Sequence, residues 1–243
     1  MSKFAVNKCD FNEMKKMKLS FCIFLLSMCA TGFAYAQDWP NLNRYGNENA
    51  KLGLLQSGEN RVVFMGNSIT EGWGRICPDF FSGKPYINRG ISGQTTPQML
   101  VRFRSDVIKL KPAVVVILAG TNDIAGNTGP STLEMIEDNI ISMAELARVN
   151  GIKVVLSSVL PAFDYPWKPG LNPAEKIAAL NAMIKDYADK NDIIYLDYYS
   201  HMVDERKGLK VEYSNDGVHP NEAGYKIMAP LVEEAIAKAL FRK

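Results

Sequence analysis

The chain has 243 residues, of which 47% are hydrophobic and 22% charged, with a formal net charge of +2. That length favours one domain, or a domain with a tail, and the composition is ordinary for a soluble globular protein. The small positive surplus sits in the first 36 residues, where Lys3, Lys8, Lys15, Lys16 and Lys18 face only Asp10 and Glu13. The remainder is nearly neutral and has no basic run interleaved with aromatics, which excludes a nucleic-acid footprint.

Residues 1–36 read as a signal peptide. Lys15, Lys16 and Lys18 form its positive region, Leu19 to Ala30 its apolar stretch, and Ala34-Tyr35-Ala36 its cleavage site, leaving Gln37 first in the mature chain. Residues 1–13 are a dispensable extension, with Met14 a plausible start. The apolar stretch is short for a bilayer span, so no membrane span is expected after processing, and the protein is expected to be periplasmic or secreted. An uncleaved anchor is the alternative; a lipoprotein attached at Cys29 is disfavoured because Met28 stands where a small residue is expected. Cys9, Cys22 and Cys29 leave with the leader. Only Cys77 remains, either a nucleophilic thiol or a small buried hydrophobe.

Residues 37–60 form a lead-in with a short helix near its end, and 61–243 form the main domain. Arg61–Ser68 reads as the first strand and Tyr86–Ile91 as a weaker second. Ala113–Ala119 and Ile152–Val159 are continuous β-branched runs, expected of strands covered on both faces, and Ile193–Tyr198 is the fifth. Helical patterns lie at about 97–110, 131–149, 172–190 and 221–241, with Pro97 suited to a first turn and Gly151 to a stop. Strand alternating with helix implies parallel pairing through right-handed crossovers. The expected fold is α/β: a flavodoxin-like three-layer sandwich with a five-stranded parallel sheet in the order 2-1-3-4-5. The segment Pro161–Pro173 carries Phe163, Tyr165 and Trp167 among four prolines, and serves either as a ligand wall or as a structural cover.

Ligands of such sheets bind beyond the carboxyl ends of the strands. The polar clusters that fall there are Gly66-Asn67-Ser68 after the first strand, Ile91-Ser92-Gly93 after the second and Gly120-Thr121-Asn122-Asp123 after the third. Asp216-Gly217-Val218-His219-Pro220 follows the fifth strand. Covalent ester hydrolysis needs a nucleophile, a base, a group that orients the base, and oxyanion donors. The sequence holds only His201 and His219. Asp216, three residues before His219, can hold one ring nitrogen while the other takes a serine proton; His201 lacks such a frame and reads as a surface residue. Ser68, at a helix start, is the candidate nucleophile, or an N-cap. The Ser68 N–H, the Gly93 N–H and the Asn122 side chain are candidate oxyanion donors, with Asn122 alternatively a turn residue. Asp216 and His219 could equally be a capping Asp and a satisfied loop His.

With GNSIT, ISG, GTND and DGVHP in this order, the sequence resembles the SGNH/GDSL hydrolase family over Arg61–Phe241. Within it, the chain is similar to bacterial exported acylhydrolases related to the platelet-activating-factor acetylhydrolase subunit type. The resemblance implies a serine esterase with Ser68 as nucleophile, His219 as base, Asp216 as triad acid, and Gly93 and Asn122 with Ser68 at the oxyanion. It implies small acyl groups, acetyl above all. O-acetylated carbohydrates are the expected substrates, and lysophospholipids or simple aryl and alkyl esters the alternative. A glycan-binding module on the same fold is the non-enzymatic alternative. The family's usual Gly-Asp-Ser is here Gly66-Asn67-Ser68, which keeps an acceptor oxygen and loses a charge. No cofactor or metal is expected: the sequence has no G-x-S-x-G elbow, no G-x-G-x-x-G or phosphate-binding glycine loop, and no H-E-x-x-H.

Overall fold

Val62–Gly66 and Val114–Leu118 are buried at every position, so neither face of these strands meets water. Such strands need helices on both sides. In the computed structural model, which describes residues 37–52 and 58–242 together with Lys16, they are β1 and β3 of a five-stranded sheet. The others are β2 (Tyr86–Gly90), β4 (Lys153–Ser157) and β5 (Ile194–Leu196). All pairings are parallel and the order is β2-β1-β3-β4-β5, as the alternation of strands and helices implied. The signal peptide expected over residues 1–36 lies outside the described residues, apart from Lys16.

The helices are α1 (Gly46–Lys51), α2 (Ser68–Ile76), α3 (Thr96–Asp106), α4 (Thr121–Ile124), α5 (Leu133–Val149), α6 (Ala174–Lys190), α7 (Tyr199–Met202) and α8 (Glu222–Phe241). Alternation along the strands sends Val63, Met65, Val115 and Ile117 into a core with residues of α3, α5 and α6. Phe64, Val114, Val116 and Leu118 face the opposite core, built from α2 and α8. On that side Trp73 stacks between Phe80, at 4.5 Å, and Tyr225, at 5.2 Å. Cys77 is half-buried against this cluster, and burial raises its thiol pKa, which suits packing rather than nucleophilic chemistry.

Three elements differ from the sequence pattern. The pattern over 97–110 breaks at Asp106 into a 3-10 turn, Ile108–Leu110, because Pro112 disfavours helix at the residue before it and Lys111 turns left-handed at φ 48°. The fifth strand shortens to three residues, pairing only with β4 at the sheet edge before α7 begins at Tyr199. Helix α2 has no clear span in the sequence because Gly72 and Gly74 interrupt its pattern.

One buried ion pair crosses the first core. Arg102 and Asp106, one turn apart on α3, have no exposed side-chain surface and meet at 3.0 Å. The Arg102 guanidinium also donates to the Gly66 carbonyl at 3.0 Å and the Arg89 carbonyl at 2.9 Å, tying the ends of β1 and β2, and to Gln94 Oε1. Asp106 accepts further from Asn49 of α1 at 2.9 Å. Removing one partner of a buried pair leaves an uncompensated charge, so Asp106→Ala is expected to cost about 3–5 kcal/mol of stability. Urea unfolding followed by circular dichroism measures it; a loss below about 1 kcal/mol, typical of an exposed pair, would contradict this reading.

Candidate active site

The sheet order reverses beside β1, where β3 lies on one side and β2 on the other, and this switch point is where such folds open a crevice. β1 ends at Gly66, in register with Gly90 and Leu118. Gly90 has no room for a side chain: a Cβ there would sit 2.1 Å from the Glu71 nitrogen, so the end of β2 runs directly beneath the first turn of α2. That turn begins with Ser68. Its N-cap is Asn67, whose Oδ1 accepts the Ile69 N–H at 3.0 Å, so the cap reading considered for Ser68 falls on its neighbour. The amide oxygen of Asn67 thus makes the contact for which a carboxylate is not required, and the Ser68 hydroxyl is left for other work.

That hydroxyl lies 2.9 Å from His219 Nε2, and His219 Nδ1 lies 2.7 Å from Asp216 Oδ2. A carboxylate can only accept, so Nδ1 carries a proton and Nε2 of the neutral ring is the acceptor facing Ser68. Asp216 also accepts the N–H groups of Val218, at 2.9 Å, and His219, at 2.8 Å, on Oδ1. The two readings of this aspartate are therefore compatible: one oxygen caps the turn and the other orients the imidazole. Burial raises the Asp216 carboxyl, but the His219 amide and ring and the Val218 amide outweigh it and bring it down to about 2. Ser214 holds the turn from beneath, with its hydroxyl 2.8 Å from the His219 carbonyl and accepting the Gly217 N–H at 2.9 Å. Helix α8 follows directly. Its Tyr225 donates to the Ile69 carbonyl at 2.7 Å, which fixes the His219 turn against the Ser68 turn. His201 is exposed on α7, its Nδ1 2.9 Å from the Asp197 carbonyl, apart from this row.

Gly93 and Asn122 lie on neighbouring turns. Gly93 adopts φ 77°, the left-handed region that a side chain disfavours, although a Cβ there would meet nothing. Asn122 is buried, and one of its amide protons goes to the Gln94 carbonyl at 2.9 Å, which couples the two turns. The 92–94 turn is gripped from several sides. Glu71 accepts the N–H and hydroxyl of Ser92, Asn127 donates to the Gly93 carbonyl at 3.3 Å, and Gln94 donates to the Pro40 carbonyl at 2.8 Å. None of Glu71, Gln94, Asn127 or Ser214 stands out in the sequence; the first three act through contacts between segments far apart in the chain, and Ser214 within its own turn. Arg102 and Asp106 did carry a signal, as charged residues on the helical stripe of Met99 and Phe103.

The cleft around Ser68 and His219 has a volume of about 770 Å³. Arg44 and Tyr45 of the lead-in line it, with Glu71, Asn88 and Arg75. The lead-in is thus part of the site wall rather than a passive connector. The Pro161–Pro173 segment divides its aromatics. Tyr165 is buried and its hydroxyl bonds Thr121 at 2.8 Å, whereas Trp167 stacks on Tyr165 and lies with its ring centroid 6.0 Å from that of His219. Among the described residues, no three His, Cys, Asp or Glu side chains gather as a metal site, and no helix is long and apolar enough to cross a membrane.

A hydroxyl, an imidazole and a carboxylate in one row at the carboxyl edge of a doubly wound sheet are the parts that serine-dependent acyl transfer requires. Residues 64–227 match the GDSL-like Lipase/Acylhydrolase family, and the chain belongs to this family of carboxylic ester hydrolases. A solved GDSL-like lipase of Bacteroides thetaiotaomicron VPI-5482 is 54% identical, covers 83% of this chain and 100% of its own, and superposes with a TM-score of 0.81. An acetylxylan esterase of Xylanibacter ruminicola is 29% identical over 213 residues, covering 72% of this chain and 43% of that protein. Esterase TesA of Pseudomonas aeruginosa is 32% identical over 110 residues, 44% of this chain and 53% of that one. The chain spans about half or less of these two curated relatives.

Asp123, next to Asn122 in the chain, is buried. Burial pushes its carboxyl up to about 6, against the hydroxyl and N–H of Thr96, which donate to it at 2.6 Å and 2.9 Å. A raised folded value means that the native state holds this proton more tightly than the unfolded chain. The stability it contributes is present below the unfolded value of 3.8 and is lost as pH rises through about 6. The melting temperature of the wild type should therefore fall relative to Asp123→Asn as pH is raised from about 4 to about 6.5. Parallel melting curves across that window would contradict the shift.

Proposed function

We propose that the chain is an exported serine esterase that removes small acyl groups, acetyl above all, from carbohydrate esters. The observation that carries the reading is the row from Ser68 through His219 to Asp216, with spacings of 2.9 Å and 2.7 Å. Serine is a poor nucleophile at neutral pH without a base in hydrogen-bond reach, and Nε2 of His219 is in reach.

In this mechanism Ser68 Oγ attacks the ester carbonyl carbon while its proton passes to His219 Nε2. The carbonyl oxygen takes the negative charge and is met by the N–H groups of Ser68 and Gly93 and the free amide proton of Asn122. Collapse breaks the bond to the alcohol oxygen, which leaves with the proton from Nε2. Water then repeats the sequence on the acyl-Ser68, its proton going to Nε2 and returning to Oγ as the acid departs. Asp216 stays ionised throughout, holds the ring in one tautomer and stabilises the imidazolium. The start of α2 adds a favourable field for the charge near Ser68.

Three features support the finer substrate reading. The cleft places Arg44, Glu71, Arg75 and Asn88 among its lining residues, groups that can hydrogen-bond a hydroxylated leaving group. No long apolar lid is evident in the sequence. An acetylxylan esterase is among the relatives. The leader-like residues 1–36 support export.

His219→Ala should lose nearly all turnover on a small acetyl ester, His201→Ala should lose little, and Asp216→Asn should fall between them, with kcat/KM compared on variants shown to be folded. Near-wild-type turnover by folded His219→Ala would remove the base assignment. Asn122→Ala should lower kcat by about a hundredfold, as loss of one oxyanion donor does, with a smaller effect on KM. A rise in KM alone would make Asn122 a binding residue. Comparing acetylated oligosaccharides with p-nitrophenyl esters of increasing chain length tests the substrate class. Preference for long acyl chains or for lysophospholipids would overturn it.

A further inference from the structure

We propose that Trp167 forms a glycan subsite beside Ser68 and His219, its open indole face stacking on the sugar ring that bears the ester. This rests on the carbohydrate reading above and names the residue that would carry it. Trp167 is 44% exposed, while Tyr165, two residues earlier, has no exposed surface. One indole face is taken, since Tyr165 stacks on it at 4.9 Å with an interplanar angle of 23°. The exposed remainder is therefore the opposite face and an edge. The Trp167 ring stands near the reacting groups, its centroid 6.0 Å from that of His219 and its plane tilted by 42°.

A pyranose ring offers patches of C–H on its faces and hydroxyls around its rim. An open aromatic face with polar groups around it matches that pattern, as apolar walls with a few placed polar groups do in ligand sites generally. An acyl chain would instead call for an enclosed apolar channel, whereas the cleft at Ser68 and His219 has Arg44, Glu71, Asn88 and Arg75 among its lining residues.

The indole is also held rigidly, as a platform must be if binding is not to cost ordering entropy. The Tyr165 hydroxyl bonds Thr121, the residue before Asn122, at 2.8 Å. Asp164 accepts the N–H groups of Tyr165 and Gly170 at 2.9 Å and 2.7 Å, and Lys168 donates to the Ala125 carbonyl at 2.7 Å. Tyr165, two residues before Trp167, and Lys168, the residue after it, are thus tied to Thr121 and Ala125. A segment acting only as a cover would bury the indole. Phe163 does not share the role: it is 49% exposed, but the Arg206 guanidinium lies over its ring at 5.3 Å.

The test compares wild type, Trp167→Ala and Trp167→Tyr on acetylated xylo-oligosaccharides and on ethyl acetate, which has no ring to stack. Trp167→Ala should raise KM for the oligosaccharides by about tenfold, the scale of one aromatic contact, with a much smaller change in kcat/KM for ethyl acetate. Trp167→Tyr should recover most of the loss. Equal losses on both substrates would show that Trp167 acts on His219 rather than on sugar, and unchanged kinetics on both would also overturn the subsite. A wild type that cleaves ethyl acetate but no acetylated oligosaccharide would instead sink the carbohydrate reading itself, and the subsite with it.

Discussion

A guanidinium with no surface exposed to water is a demanding object to place in a protein core, because each of its donors needs an acceptor. Arg102 meets that demand with acceptors that are themselves the corners of the site. It holds the carbonyl of Gly66, two residues before Ser68, the carbonyl of Arg89 at the end of β2, the side chain of Gln94, and Asp106. The carbonyl of Gln94 in turn receives the amide of Asn122. One cation therefore sets the mutual positions of the serine turn, the glycine turn and the asparagine. The lead-in closes the arrangement from outside, with Asn49 on Asp106 and Arg89, and Tyr45 on the carbonyl of Gly90.

The histidine side is positioned independently. Helix α8 starts with Asn221 as N-cap, just after the Asp216–Pro220 turn, and its Tyr225 both stacks on Trp73 and bonds the carbonyl of Ile69. Two turns brought from the ends of a 151-residue separation thus meet through packing of their helices, with the Ser68–His219 bond at the contact. The Ser68 and His219 turns are thus braced against each other, while half-exposed Arg44 lines the cleft beside them.

Most of the architecture was legible in the sequence because the central strands are apolar throughout and the polar clusters fall at their ends. A run such as Val114–Leu118 admits few readings once helical patterns flank it. The scarcity of histidine narrowed the choice of base to His201 and His219, and Asp216 distinguished them. Less legible were the residues that act across the chain. Glu71 looks like an ordinary helix-surface acid until the Ser92 turn is seen against it, and Arg44 and Tyr45 look like linker until they line the cleft. The Pro161–Pro173 aromatics could not be divided by sequence alone, since only the fold shows that Tyr165 faces Thr121 and Trp167 faces out.

The central claim is that Ser68 becomes covalently acylated during turnover, with His219 as its base. A fluorophosphonate probe, which captures only an activated serine, tests it directly when followed by mass spectrometry of the tryptic peptide 62–75. The account predicts a single adduct on Ser68, absent from Ser68→Ala and formed far more slowly in His219→Ala. A folded wild-type protein that remains unlabelled, or a label that persists in Ser68→Ala, would contradict it.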